Sequence, residues 1–322
     1  MTPLNPGDRL DHYRLDDLAA RSGMASIFRA TDVRSGVQVA IKVPHPEMEC
    51  DPVFFDRLQR EKQIGQEMDH PAVVKVLPDE DPSRVYMVME WVEGKLLREF
   101  LKPGEQFPAP RAVRITLGVL DALEYIHSHG VVHRDLKPDN IILGARDNVK
   151  LIDFGIAGKS GARRLTFGKF SHLSGTPDYI SPEQVRGKRG DPRSDVYAVG
   201  VILYEMLAGR APFEGPNPLA VINQRLRDDP APVREFAPEV SPALEEILKR
   251  ALERDPRHRY ATAREFAWDL THQDKVGITA REVERGRGWG PVSLLKRILF
   301  YSGLAAIPAS IFGLLLYVAG HA

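Results

Sequence analysis

Val39-Ala40-Ile41-Lys42 is an apolar, partly β-branched run that follows a Ser35-Gly36 turn and ends on a lysine. The pattern reads as a strand that delivers one ammonium to a cleft. From Phe54 to Met68 the period becomes helical, with Phe54, Leu58 and Met68 as the apolar face and Glu61 between them. Gly65, one turn after Glu61, weakens such a helix by about 1 kcal/mol relative to alanine, which predicts an intrinsically loose element. Arg84 to Gly94 reads as a strand running into a Gly-containing connector, and Val196 to Leu207, apolar nearly all round, as a buried helix. The last run, Ile298 to Ala322, holds no Asp, Glu, Lys or Arg. As a helix it would extend about 37 Å against a hydrocarbon core of about 30 Å, so a transmembrane helix is expected over 298–320.

Two polar strings change the picture. His133-Arg134-Asp135-Leu136-Lys137-Pro138-Asp139-Asn140 puts a carboxylate, a lysine and a carboxamide on one short loop, and Asp153-Phe154-Gly155 adds a carboxylate a hairpin's length downstream. Phosphoryl transfer from a Mg-nucleotide needs such a set: a base to orient the attacking hydroxyl, a cation on the moving phosphate and oxygen ligands for Mg²⁺. Turn residues flanking a buried hairpin would share part of this composition, but not both strings at this spacing.

With these strings the chain resembles a eukaryotic-type serine/threonine protein kinase of the bacterial branch, over about Tyr13 to Leu270. The resemblance implies a bilobal α+β fold with a β-rich N-lobe carrying one main helix (about 13–92) and a helical C-lobe (about 93–272). It implies that Asp135 is the catalytic base, that Lys137 contacts the γ-phosphate and that Asn140 and Asp153 hold Mg²⁺. A lysine at position 137 also argues against the tyrosine-specific branch. Lys42 would hold the α/β-phosphates of ATP while Glu61 holds Lys42. Ala40 and Ile27 would line the adenine site, Met89 would gate its back, Ile142 would form its floor, and the backbone of Glu90 and Val92 would pair with the adenine edge. Gly175-Thr176-Pro177-Asp178-Tyr179-Ile180-Ser181-Pro182-Glu183 resembles the end of an activation segment, which small-molecule phosphotransferases lack. Glu183 would pair with Arg259 as a buried strut, Asp195 would brace the catalytic loop, and Thr176 would lie near Asp135 and Lys137. Arg134 could pair with a phosphate on the segment, with Thr166, Ser171 and Ser174 as candidate sites.

The phosphate-covering loop departs from the family. The register that fits Gly-x-Gly-x-x-Gly-x-Val gives Ala20-Arg21-Ser22-Gly23-Met24-Ala25-Ser26-Ile27, so Ala20, Ser22 and Ala25 fill the glycine positions and only the neighbouring Gly23 remains. That loop motivates an alternative reading, a pseudokinase-type nucleotide-binding signalling scaffold. The intact Lys42, Glu61, Asp135, Asn140 and Asp153 favour the enzyme.

Composition adds boundaries. The 322 residues are 43% apolar with zero formal charge, which gives no case for nucleic acid as a partner. Cys50, the single cysteine, excludes an intramolecular disulfide and suits a reducing compartment. Residues 1–12 read as a polar leader and 273–297 as a basic linker. Arg281, Arg285, Arg287, Lys296 and Arg297 precede the apolar run, so the positive-inside rule puts the kinase domain on the cytoplasmic face of the inner membrane. Expected partners are protein substrates with Ser/Thr acceptors, the membrane, and a second copy of the chain for trans-autophosphorylation.

Overall fold

Strand faces in the N-terminal half follow the period of two. In the computed structural model, which describes residues 3–49, 51–79, 82–153, 158–159 and 177–277, the first sheet is antiparallel throughout. It contains β1 (Arg9–Leu10), β2 (Tyr13–Arg21), β3 (Ala25–Asp32), β4 (Gln38–Pro44), β5 (Val76–Leu77) and β6 (Met87–Glu90), in the order β1-β2-β3-β4-β6-β5. Val39, Ile41 and Val43 pack with Leu15, Phe28 and Val88 on one face, while Ala40, Met87 and Met89 join a second cluster on the other. Register pairs Ala40 with Met89, and Lys42 with both Ile27 and Met87. One row of the sheet therefore presents the lysine and its apolar neighbours to the same side. The polar leader is not separate from this lobe: β1 pairs with β2, Leu10 is buried, and Asp11 accepts hydrogen bonds from the Ser83 amide (3.1 Å) and the Tyr86 hydroxyl (2.7 Å).

Helix α1 (Pro46–Glu49) leads into α2 (Pro52–Glu67), whose start is set by Asp51: its carboxylate accepts from the Val53 and Phe54 amides and Pro52 occupies the first helical position. Gly65 corrects the expectation of mere looseness. A Cβ there would lie 2.1 Å from Val76 Cγ2, so the glycine is the notch through which α2 closes on β5. Beyond α2, Val73 bridges Leu151 in parallel, Val74 N donates to Leu151 O (2.9 Å) and Leu151 N donates to Ala72 O (2.8 Å).

The connector after β6 turns at Gly94, where φ is +156° and a Cβ would meet Leu143 O at 2.5 Å, so only glycine fits. The second half begins with β7 (Lys95–Leu96) and α3 (Leu97–Phe100). Next come α4 (Ala109–Ser128), β8 (Val131–Val132), β9 (Ile141–Leu143), β10 (Val149–Leu151) and β11 (Gly158–Lys159). Strands β10, β9 and β7 form one small sheet, and β11 and β8 another. Helices α5 (Pro182–Val185), α6 (Pro192–Ala208), α7 (Pro218–Arg227), α8 (Pro242–Ala251) and α9 (Ala263–Thr271) complete the lobe. The expected helix over Val196 to Leu207 is the buried middle of α6, around which α4, α8 and α9 pack. Two lobes of the expected composition result. Residues 298–320, expected to span a membrane, lie outside the described residues, among which no helix is long and apolar enough to cross one.

Candidate active site

The period-two face of β4 delivers Lys42 to α2. Lys42 Nζ lies 2.8 and 3.0 Å from the two oxygens of Glu61, and 3.2 Å from Asp153 Oδ1. Glu61 is only 3% exposed, so an ionised carboxylate there requires a partner. Burial pushes the Lys42 ammonium down, but the facing Asp153 and Glu61 carboxylates outweigh it and hold the group above its ordinary range. The ammonium thus joins the two lobes through two carboxylates, one from each.

Asp153 stands two residues after β10 with φ of +68°, and Arg134 has φ of +66°. Left-handed backbone at non-glycine residues costs energy and persists where the surroundings impose it, commonly at functional sites. At Arg134 the imposing group is Asp195, near the start of α6. Its buried carboxylate accepts from the His133 amide (2.9 Å), the Arg134 amide (2.8 Å) and His127 Nε2 (2.8 Å). Although burial pushes the Asp195 carboxyl up, His127 and the amides hold it below its usual range. Gln184 Nε2 adds a bond to Arg134 O (2.9 Å) from α5. Asp195 had been expected as a brace; His127 and Gln184 had not.

Within the loop, Lys137 Nζ lies 3.0 Å from Asp135 Oδ2, and Asn140 Nδ2 donates to Asp135 O (2.8 Å). Asn140 is 5% exposed, at the end of the one-turn Pro138–Asn140 helix. The oxygens of Asn140 and Asp153 fit the hard-donor preference of Mg²⁺.

Of the residues expected to line an adenine site, Met89 and Ala40 are buried, Ile27 packs against the same cluster, and Ile142 sits between Lys150 and Leu96 in register. The Glu90 amide donates to Lys75 O (2.9 Å). The Glu90 carboxylate accepts from the Lys75 amide (2.8 Å) and pairs with Lys150 (2.6 Å). Val92 lies in the connector beside it.

The phosphate loop is a hairpin tip. Ala20 pairs with Ile27 and Arg21 with Ser26, and none of Ala20, Ser22, Gly23 and Ala25 has a positive φ. The turn is closed by Ser22: its amide and hydroxyl both donate to Ala25 O (2.9 and 3.1 Å), and its Oγ accepts from the amides of Met24 (3.2 Å) and Ala25 (3.1 Å). The side chain that replaces a glycine thus uses two tip amides. Among the expected activation-segment residues, Thr166, Ser171, Ser174 and Thr176 lie outside the described residues. Glu183 meets Arg259 in two 2.8 Å bonds and accepts from Ser194 Oγ at 2.7 Å.

A protein kinase domain model matches residues 21–269. The chain belongs to the protein kinase family. The kinase is 41% identical over 276 residues to a probable serine/threonine-protein kinase of Streptomyces coelicolor, covering 83% of this chain and 41% of that one. It is 38% identical over 265 residues to the serine/threonine-protein kinase PknB of Mycolicibacterium smegmatis, covering 81% and 42%. The crystal structure of the Mycobacterium tuberculosis PknI kinase domain matches with a TM-score of 0.65 at 25% identity, covering 84% of this chain and all of that one. The domain is thus of the serine/threonine protein kinase type. The chain spans about two fifths of the length of the curated relatives it matches.

Proposed function

We propose that the protein transfers the γ-phosphate of Mg-ATP to serine and threonine hydroxyls of proteins. One observation carries this reading: Lys42 is paired with Glu61 and Asp153 at once, beside an Asp135–Lys137 pair on a braced loop. Asp135 accepts the proton of the acceptor hydroxyl as its oxygen bonds to the γ-phosphorus and the bond to the β-phosphate oxygen breaks, releasing ADP. In this reading Lys137, 3.0 Å from Asp135, holds the moving phosphate, while Lys42 grips the α/β-phosphates. Asn140 and Asp153 would hold Mg²⁺, which when bound would neutralise phosphate charge.

The same reading extends to autophosphorylation at Thr166, Ser171 or Ser174 between two copies of the chain, and to tethering at the inner face of the cytoplasmic membrane by 298–320. The hydroxyls near Arg163 and Arg164, the arginine at 134 and the uncharged run behind a basic linker support these extensions. A second reading, a nucleotide-binding scaffold without turnover, is favoured by Ser22 occupying its own loop amides. Incubating the purified chain with labelled ATP and Mg²⁺, alongside Asp135→Asn, decides between them. The enzyme incorporates phosphate, and the variant loses about 10²–10⁴-fold in rate while keeping nucleotide affinity within a few-fold. Equal incorporation by the variant removes Asp135 from its role; none by either protein favours the scaffold.

A further inference from the structure

The phosphate loop has an anchor outside its own turn. The β3–β4 ladder ends with Ala25 opposite Pro44, and just beyond it the His45 amide donates to Met24 O (2.9 Å). The His45 ring reaches back to the hairpin, where Nε2 stands 3.1 Å from Ser26 Oγ in a half-buried hydrogen bond. Ser26 pairs with Val43, whereas its neighbour Ile27 pairs with Lys42. By the period of two, Ser26 therefore belongs to the Val43 face of the sheet and Ile27 to the Lys42 face. His45 grips the loop from the face opposite Lys42. The same residue opens α1: His45 O accepts from the amides of Met48 (2.8 Å) and Glu49 (3.3 Å). Glu49 is held in turn by Arg84, whose Nε donates to it (2.9 Å), and Met48 O accepts from the amide of Asp51, the residue that caps α2.

We propose that His45 is a positioning residue for the nucleotide phosphates, because its ring fixes the phosphate loop against the start of α1 from the face opposite the nucleotide site. This rests on the kinase reading given above. Ser22 closes the turn from within and sets its shape, but a turn closed on itself can still swing as a body on β2 and β3. What sets its place is a bond to another element, and Met24 and Ser26 each have one to His45. Backbone amides aimed at a phosphate lose most of their attraction when displaced by about 1 Å, so the place of the tip matters as much as its shape. Ala40 and Met89, expected at the adenine, pair with each other further along the sheet. Loss of the His45 ring should therefore weaken the grip on phosphates and spare the base.

The test uses the full chain as wild type, His45→Ala, His45→Gln, Ser26→Ala and the double variant His45→Ala/Ser26→Ala. Affinities for adenosine and for a non-hydrolysable ATP analogue with Mg²⁺ are read by calorimetry, and phosphate transfer is measured separately. His45→Ala and Ser26→Ala should each bind the ATP analogue about five-fold more weakly, and the double variant no more weakly than either. Adenosine affinity should stay within about two-fold throughout, and His45→Gln, which keeps a side-chain nitrogen for Ser26, should recover most of the loss. If His45→Ala does not fold, Ser26→Ala, which removes the same bond from the other side, carries the comparison. Undiminished affinity for the ATP analogue in both single variants overturns the proposal. An equal loss for adenosine also overturns it, since general loosening of the lobe does not single out phosphates, and so do additive losses in the double variant. A phosphate-specific loss in a protein that transfers no phosphate supports the role of His45 and counts against the enzymatic reading alone.

Discussion

Ser22 closes its own turn, so its replacement separates two effects that a glycine loop combines. Ser22→Gly releases the Met24 and Ala25 amides and relaxes the backbone; Ser22→Ala releases the amides alone. The expected outcome is a lower KM for ATP in both, with kcat/KM rising by about five-fold in the glycine variant, roughly 1 kcal/mol. Unchanged or poorer kcat/KM in both would make the hydroxyl-closed turn the working form of the loop. At this scale much was legible beforehand. Asp135, Lys137 and Asn140 share one short string, and Lys42, Glu61 and Asp153 sit in recognisable local patterns. His45 and Ser26 were not legible, because each is an ordinary polar residue in its own neighbourhood and its partner lies 19 residues away. The reading of Gly65 as slack failed for a similar reason: the Val76 methyl that needs the space is supplied by another element.

Among elements, α2 carries the sharpest consequence. Gly65→Ala improves helix propensity by about 1 kcal/mol but drives a Cβ into Val76, an overpacking that costs about 1–3 kcal/mol. Thermal melting should show a net loss of stability. Phosphate transfer should fall with it, since α2 must move away from β5 and takes Glu61 from Lys42. The double variant Gly65→Ala/Val76→Ala should recover most of the activity; if it does not, the notch is not what positions the helix. Element ends carried a signal that apolar periodicity passed over. Asp51-Pro52, Asp191-Pro192, Asn217-Pro218 and Ser241-Pro242 each combine a capping side chain with a proline at the first helical position, and each opens a helix.

Across the whole molecule, the strut between α5 and Arg259 makes stability depend on pH. Burial pushes the Glu183 carboxyl up, but Arg259 and Ser194 outweigh it and its pKa is lowered in the folded state. A depressed carboxylate contributes stability above its unfolded pKa, about 4.3, and loses it as pH falls through the folded value. At pH 7, Glu183→Gln should therefore cost about 3–5 kcal/mol, because Arg259 is left buried without its counter-charge. Melting curves should show the gap to wild type narrowing below about pH 4; a gap constant from pH 7 to 3 would mean that the pair is not the origin. The tethering proposal belongs to this scale too. The full chain should sediment with membranes and resist high salt, whereas a chain ending at Gly290 stays in the supernatant; release by salt alone would make the C-terminal run a surface contact.

The Val73–Leu151 bridge has a mechanical consequence. Residues 72–74 are stitched to β10, so the C-terminal end of α2 is leashed to the second lobe and the helix can swing only about that end. Measured from the Gly65 notch at about 1.5 Å per residue, Glu61 is roughly 6 Å along the lever and Val53 roughly 18 Å. A push on the exposed Val53 and Phe55 is thereby geared down about three-fold at Glu61. A contact that shifts the far tip of α2 by 3 Å would move the carboxylate by about 1 Å, the scale that separates a made ion pair from a broken one.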